Sequence, residues 1–564
     1  MFAKLKTWLA GSATAAEEKF GALREQGDRS LAQGRFAEAE QCYCQALAAG
    51  APDSAELRVA LGFTLLEQNR GEAAEPELRR ALALDSANAD AHYLLGRRWR
   101  QKGQPAQAVD CFARALTSNP AFEFAHREMF ETLRQDGQTV AAREAVQRTL
   151  GVFPESAEFH FHLADLLADA GELEQAVAAY QHSLALSPDS VAPYINQAAV
   201  LLKLNRDDEA AAAYRHALQR DGDSFDAHMG LGSIGQRSGN VELALSCYEQ
   251  AQRIRPQSAA VQLSLGVVLE KAQRSAQAIT FFSRAVALDP VCAPAHQGLG
   301  NAYLNQKRIP EALACFREVL RLQPDNPVKH LVAALTGEST ACAPGAYVKQ
   351  LFDEYADSFD AHLVKALAYN VPENLVQQLC SCLGPARGET DVLDLGCGTG
   401  LFAVALASLA EQMAIRRLVG VDLSARMLEK AAARKIYSRL EQRDLHAMMR
   451  DEPADSYDLV AATDVLVYIG ELDGLVAETR RLLRPGGLFA FSVESLEALE
   501  APADGPAAQD YRLNPTGRYA HSARYLERLA ATHAMQVLAC SEATSRQDNG
   551  QPIAGCLMIW SRPA

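Results

Sequence analysis

A step of 34 residues taken from Ala74 lands on Ala108, Ala142, Ala176, Ala210, Ala244, Ala278 and Ala312, and this unbroken column restricts the fold more than any other feature of the chain. Four positions on, the same step gives Leu78, Phe112, Val146, Tyr180, Tyr214, Tyr248, Phe282 and Phe316, a bulky apolar or aromatic series. A third column holds Gly62, Gly96, Gly232, Gly266 and Gly300, interrupted by Phe130, Ala164 and Ala198. A fourth holds Pro120, Pro154, Pro188, Pro256, Pro290 and Pro324. Small, bulky and helix-breaking positions kept in one register describe stacked similar units, none of which can bury a core alone.

Each unit reads as two helices. The small residue on the first lets the second approach closely, alanine on the second accepts that contact, and the bulky residue one turn later fills the gap to the next unit. Proline ends the second helix because it lacks the backbone donor and disfavours helical geometry before it. The pattern resembles the tetratricopeptide repeat, over residues 20–326 in about nine repeats, with an offset first unit marked by Gly27, Gly34, Ala39, Tyr43 and Ala46. Residues 1–19 are expected to be an N-terminal helix or tail. The resemblance implies an all-α solenoid whose groove binds a protein or peptide. Arg97, Arg100, Arg127 and Arg134 fall on the predicted groove face, either as receivers of an acidic segment or as solvated surface charge.

At 564 residues the chain is too long for one core, so a further domain is expected beside the array. The net charge of -15 argues against a nucleic-acid partner. No stretch approaches the 18 or so apolar residues of a membrane span, and the N-terminal apolar run is broken by Gly11, Ser12 and Thr14. The 12 cysteines include the pairs Cys42/Cys44 and Cys380/Cys382, without a second pair at metal-site spacing. Buried free thiols, no metal and a cytoplasmic location are the expectation.

The repeat phase is lost after Pro324, and residues 327–345 read as a capping helix, Val328 to Leu335, followed by a linker. From Asp391, short apolar runs alternate with helical stretches, the signal of a parallel sheet covered on both faces. The first run, Val392-Leu393-Asp394-Leu395, leads into Gly396-Cys397-Gly398-Thr399-Gly400 and then a helix. These glycines are spaced neither as a dinucleotide fingerprint nor as a Walker A loop, which favours a nucleoside without pyrophosphate. The second run ends in Asp422, which can accept bonds from both hydroxyls of a free ribose and repels a phosphorylated one. Met427 on the following helix offers adenine a soft apolar wall. Asp444, after a third short strand, can accept from the adenine amino group.

These residues resemble the class I S-adenosylmethionine-dependent methyltransferases over residues 346–564. That resemblance implies an α/β Rossmann-like domain with a mainly parallel seven-stranded sheet. It also implies S-adenosylmethionine held by Asp394, Gly396, Cys397, Gly398, Gly400, Asp422, Leu423, Met427, Asp444 and Leu445. Tyr457–Val460 then form the fourth strand, Thr463–Tyr468 the methyl-transfer edge, and Arg484-Pro485-Gly486-Gly487 the turn into a fifth strand, Leu488–Val493. The segments LFDEYADSFDAHL, DVLVYIGEL, GRYAHSARYL and QPIAGCLMIW are similar to bacterial methyltransferases that carry N-terminal tetratricopeptide repeats. The chain departs from that pattern at His533-Ala534-Met535, where a glycine is usual.

Methyl transfer from a sulfonium is an in-line displacement, so alignment matters more than acid/base machinery. His521 is one candidate general base, with a structural histidine as the equal alternative. Asp464 is the competing base, with Tyr468 beside it, and Arg518 with Tyr519 is placed to hold a carboxylate-bearing acceptor. Tyr347, Tyr355 and Tyr369 are candidates to face the sulfonium. Three functions remain open: an active methyltransferase with a recruiting array, a repeat scaffold with a cofactor-binding but non-catalytic domain, and a nucleic-acid methyltransferase. The third lacks an N-P-P-Y type motif after the fourth strand, where the sequence is TDVLVY.

Overall fold

In the computed structural model the described residues are 15–49, 51–356, 359–361, 370–383, 387–409, 413–497, 509–548 and 551–564. The chain divides into two compact units, residues 1–256 and 257–564. Among the described residues the first unit contains seven helix pairs, from Ala15–Ala32 with Phe36–Ala48 through Phe225–Arg237 with Val241–Ile254.

The size columns explain the pairing. A Cβ on Gly96 would lie 2.5 Å from Phe112 of the same repeat, so only glycine lets the two helices meet at that distance. At one of the three departures from glycine the volumes compensate. Phe130 takes the glycine position, its counterpart shrinks to Val146, and both are fully buried. The second helices stop two residues before proline, as at Ser118 before Pro120 and Val152 before Pro154. The four arginines of the predicted groove face are all paired: Arg97 with Glu67, Arg100 with Glu128, Arg127 with Glu123 and Glu158, and Arg134 with Glu131. Their charge is spent within the repeats, which favours the surface reading.

The second unit opens with two more pairs, Ala259–Lys271 with Ser275–Leu288 and Ala293–Asn305 with Ile309–Leu322. Phe282 lies against two glycines: Cβ atoms at Gly266 and at Gly298 of the next repeat would sit 2.7 and 2.5 Å from its ring. The bulky position thus fills space inside its own unit as well as toward the next. A cap helix, Val328–Thr336, ends at Gly337 in the left-handed conformation (φ +78).

The α/β part is built on β1 (Arg387–Leu395), β2 (Met413–Asp422), β3 (Arg439–Gln442), β4 (Tyr457–Ala462), β5 (Leu483–Ser495), β6 (Tyr511–Leu513), β7 (Tyr519–His521), β8 (Gln536–Asp548) and β9 (Gln551–Ser561). Parallel pairing runs β3-β2-β1-β4-β5, and β9 joins β5 antiparallel with β8 outside it. These are the expected seven strands, and a β6–β7 hairpin raises the sheet to nine. Glu494 of β5 pairs with Gly555 of β9 and with Ala520 of β7, so the hairpin continues on the side that β4 has left. Alternate residues serve opposite cores, Val392 and Leu459 on one face, Leu393 and Val460 on the other, as a sheet covered twice requires.

The Arg484–Gly487 turn is a bulge within β5: register jumps from Tyr457/Leu483 to Leu459/Leu488. Arg484 uses the bulge to reach Asp391 (2.8 Å) and Asp458 (2.5 Å). Among the described residues no helix is long and apolar enough to cross a membrane. Cys44, Cys342 and Cys540 are exposed, so burial describes only some of the thiols.

Candidate functional site

A cavity of about 250 Å³ opens at the C-terminal ends of β1, β2 and β4, where ligands of open parallel sheets lie. After β1 the chain turns through Gly396 (φ +63), Gly398 (φ +53) and Gly400 (φ +87). At Gly396 even the left-handed backbone is only half the reason for glycine, since a Cβ would meet Val465 at 2.4 Å. At Gly398 a Cβ would project into open space, with Phe359 no nearer than 4.0 Å, so the missing side chain leaves a cradle beside the backbone.

Asp422 faces that cradle. Its Oδ2 accepts from the Gly398 N–H (2.9 Å) and its Oδ1 from the Ser424 N–H (2.8 Å), which fixes the carboxylate across the glycine loop. Burial raises its pKa, and the amide bonds oppose that rise. Asp394, fully buried, accepts the Tyr437 hydroxyl on Oδ2 (2.7 Å), while Oδ1 has no hydrogen-bond partner among the described residues. Burial pushes its pKa up to about 7; the Tyr437 hydroxyl works against this and the Asp422 charge adds to it. A buried acceptor oxygen left over in this way matches a ligand that donates, such as an amino group. Asp444 caps the helix Leu445–Asp451, accepting the Ala447 N–H on Oδ1 (3.0 Å).

The opposite wall is aromatic and acidic. It carries Phe352 and Phe359 from the N-terminal helices Gly345–Tyr355 and Phe359–Ala361, with Thr463, Asp464 and Tyr468 beyond β4. Asp464 holds a left-handed backbone (φ +58), unusual for a residue with a side chain, and its N–H donates to Ser492 Oγ at 2.8 Å. These two helices are tied down on the side of the glycine loop. Thr399 donates to Asp360, Arg434 pairs with Asp360 (2.6 Å), and Arg426 donates to the Asp353 carbonyl (2.8 Å).

Of the residues singled out from sequence, the cavity wall gathers Gly396, Cys397, Gly398, Asp422, Leu423, Asp444, Leu445, Asp464 and Tyr468. The others lie behind it. Asp394 sits beneath the glycine loop. Gly400 starts the helix Leu401–Leu406, where a Cβ would press on Tyr437 at 3.0 Å. Met427 is fully buried under its helix, and Leu423 stands at the wall instead.

The structure does not bring His521, Arg518 or Tyr519 to the cavity. His521 is 1% exposed and bonds through Nε2 to the Ile469 and Gly470 carbonyls (2.9 and 3.1 Å). Burial lowers its pKa to about 4, with those carbonyls opposing. The helix cap beside it is Ser522, which accepts the Tyr525 N–H. Arg518 is clamped between Glu494 (2.8 Å) and Asp464, with its guanidinium over the Tyr468 ring, so its charge is already matched by two carboxylates. Tyr519 is buried against Thr340. Tyr347 packs on His330, Tyr355 on Phe359, and Tyr369 lies outside the described residues. Sequence reasoning missed Tyr437, Asp360 and Arg434; only the glycine loop they buttress had a pattern to find.

Residues 393–491 match the methyltransferase domain family. Residues 24–75, 59–122, 128–191, 195–259, 236–291 and 293–326 match tetratricopeptide repeat families. The chain is 36% identical over 110 residues to trans-aconitate 2-methyltransferase of Deinococcus radiodurans, covering 19% of this chain and 40% of that protein. It is 32% identical over 163 residues to malonyl-[acyl-carrier protein] O-methyltransferase of a Methylovorus species, 28% of this chain and 52% of that one. Human methyltransferase-like protein 27 is 30% identical over 160 residues, 27% and 63% of the two chains. The chain thus spans about half the length of the curated relatives it matches. Among solved structures, the tetratricopeptide repeat protein YrrB aligns with 33% of this chain and 95% of its own at 23% identity and a TM-score of 0.30.

Proposed function

Because this chain joins tetratricopeptide repeats to a class I methyltransferase domain, we propose that it transfers a methyl group from S-adenosylmethionine to a small-molecule or protein-borne acceptor. In this reading the repeats, residues 20–326, recruit a protein or peptide. Residues 327–345 form the cap and linker, residues 346–564 catalyse, and the location is cytoplasmic.

One observation carries the cofactor assignment: a carboxylate, Asp422, fixed by two backbone amides across a glycine loop whose second glycine opens onto the cavity. Asp422 then receives the ribose hydroxyls, and the backbone at Gly396 and Gly398 lies beside the methionine part. Asp394 Oδ1 takes the amino group. Asp444 accepts from adenine, with Leu423 and Leu445 as apolar walls. The bound cofactor supplies an electrophilic methyl on a sulfonium. The residues around it exclude water and orient the acceptor, and Asp464, the acidic group on the acceptor side, takes the proton that the nucleophile gives up. Tyr468 beside it is a hydrogen-bonding partner for the acceptor. His521, buried against backbone carbonyls, has no part in the transfer, and Arg518 serves Asp464 rather than the acceptor.

Calorimetric titration of the full chain with S-adenosylmethionine tests the assignment. Removing a charged acceptor that receives two hydroxyl donors costs about 2–3 kcal/mol, so Asp422→Ala should weaken binding roughly 30- to 150-fold. Equal affinity in the variant, or no saturable binding by the unaltered chain, sinks the cofactor reading.

A further inference from the structure

A histidine on the first helix of the repeat recurs at the 34-residue step as His92, His126, His160, His228, His296 and His330, with Tyr194 and Gln262 interrupting. In five of these Nε2 bonds to the carbonyl six residues back, that of Ser86, Pro120, Pro154, Gly222 or Pro290, at 2.8 to 3.1 Å. The sixth, His330 on the cap helix, would meet Pro324 by the same rule. Instead its Nε2 bonds to the Gly517 carbonyl at 2.9 Å, 187 residues away.

Gly517 is the left-handed turn residue (φ +80) between β6 and β7, and the next residue is Arg518. Arg518 reaches Asp464 on the cavity wall and Glu494 on β5. The chain just beyond His330 holds the same two segments. Ser339 accepts the Leu513 N–H (3.2 Å), and Thr340 bonds to the Tyr519 hydroxyl. Ala341 O accepts from Gly470 and Glu471 (both 2.8 Å), and the Ala343 N–H donates to Tyr468 O (2.9 Å). Cys342, Ala343, Pro344 and Gly345 then line the cavity itself. The terminal element of the repeat array is therefore built into the acceptor side of the site.

We propose that His330 is a positioning residue for methyl transfer: by holding the Gly517 turn it sets Arg518, and through Arg518 the Asp464 carboxylate, on the cavity wall. A carbonyl acceptor requires a proton on Nε2, and burial, which lowers the pKa of His330, favours the neutral form of that donor. Its ring packs on Tyr347 and Tyr519, with centroids 4.8 and 5.9 Å away. The two contributions separate by substitution, since His330→Phe keeps the ring and loses the donor, whereas His330→Gln keeps an N–H near the Nε2 position.

The experiment is amide hydrogen exchange of the full chain without ligand, followed at residues 464–471 and 513–519, together with titration by S-adenosylhomocysteine. His330→Phe should speed exchange of both segments about tenfold or more and weaken binding by a similar factor, while His330→Gln stays within about threefold of the unaltered chain. Exchange at the unaltered rate in His330→Phe overturns the proposal, as does equal acceleration in His330→Gln. If His330→Phe fails to fold, a folded His330→Gln with unaltered exchange supports the donor role, and a failure of both overturns it. The binding arm rests on the cofactor reading. If the unaltered chain binds no S-adenosylhomocysteine, that reading falls, while the exchange arm still decides the role of His330.

Discussion

Residues 1–256 and the α/β sheet use the same kinds of contact but distribute them differently. In the repeats contacts recur at multiples of 34 residues: the bulky side chain over a glycine at Gly62/Leu78 returns at Gly96/Phe112 and Gly232/Tyr248. In the sheet the decisive contacts occur once and join distant parts of the chain, such as Asp394 with Tyr437 or Arg484 with Asp391 and Asp458. Repetition makes a residue's role readable from its neighbours in the column. A contact made once can be read only after the chain has folded.

The largest effect expected from this comparison is in the array. Phe112 is fully buried, and Phe112→Ala should cost about 3–5 kcal/mol through lost transfer energy and the cavity left behind. Urea unfolding followed by Trp99 fluorescence measures it, since Trp99 packs on the same core. The equivalence of the column is sharpened by Phe316→Ala, expected to cost a similar amount. If the two losses differ by more than about twofold, the repeats are not interchangeable and the comparison breaks.

The second effect belongs to a histidine–carbonyl contact that spans about fifty residues of the α/β part, where the array histidines reach only six residues back. His521 is held neutral, with its pKa near 4 in the folded chain against about 6.5 unfolded. Below the unfolded value the unfolded chain takes up a proton that the folded one refuses. Its contribution is therefore intact above about pH 6.5 and declines as the pH falls toward 4. Linkage puts the loss at about 2 kcal/mol between pH 7 and pH 5. Urea midpoints read from Trp560, with Trp8→Phe and Trp99→Phe to remove the other signals, should show this fall. His521→Gln, which keeps a donor for the Ile469 and Gly470 carbonyls, should flatten it. A pH slope unchanged in the variant would assign the fall to other groups.

What the sequence made legible follows the same division. The helix pairs, the successive strands and the cavity residues at Gly396, Gly398, Asp422 and Asp444 all lie in local patterns, a column or a short apolar strand with the residues at its C-terminal end. His521, Arg518 and Tyr519 belong to a motif that was readable as a string, but their surroundings come from β5, the 464–471 segment and the cap. No spacing within GRYAHSARYL reveals that two carboxylates already hold Arg518. The histidine column was periodic and could have been found. The departure of its last member toward Gly517 could not, because that partner lies on the far side of the domain in sequence.

The smallest effect tests whether the two regions differ at all where their backbone is the same. The turn after the first helix of each repeat is left-handed at Asn69, Gly103, Gly137, Gly171, Asn205, Gly239, Gln273 and Lys307, and the helix Ala523–Thr532 ends in the same way at Ala534 (φ +47). Ala534 thus holds a left-handed conformation that suits glycine, without being glycine. Its N–H bonds to Ala531 O and that of Met535 to Ala530 O, so the termination is complete and only the Cβ is strained. A side chain in this state costs about 1 kcal/mol, partly offset because glycine is freer in the unfolded chain. Ala534→Gly, Gln273→Gly and Lys307→Gly should each therefore stabilise by about 0.5–1 kcal/mol in urea unfolding. Equal gains would place the cost in the backbone state alone, whichever region holds it. A gain confined to the repeats would mean that the bend into β8 at Met535 is held by packing that a glycine loosens.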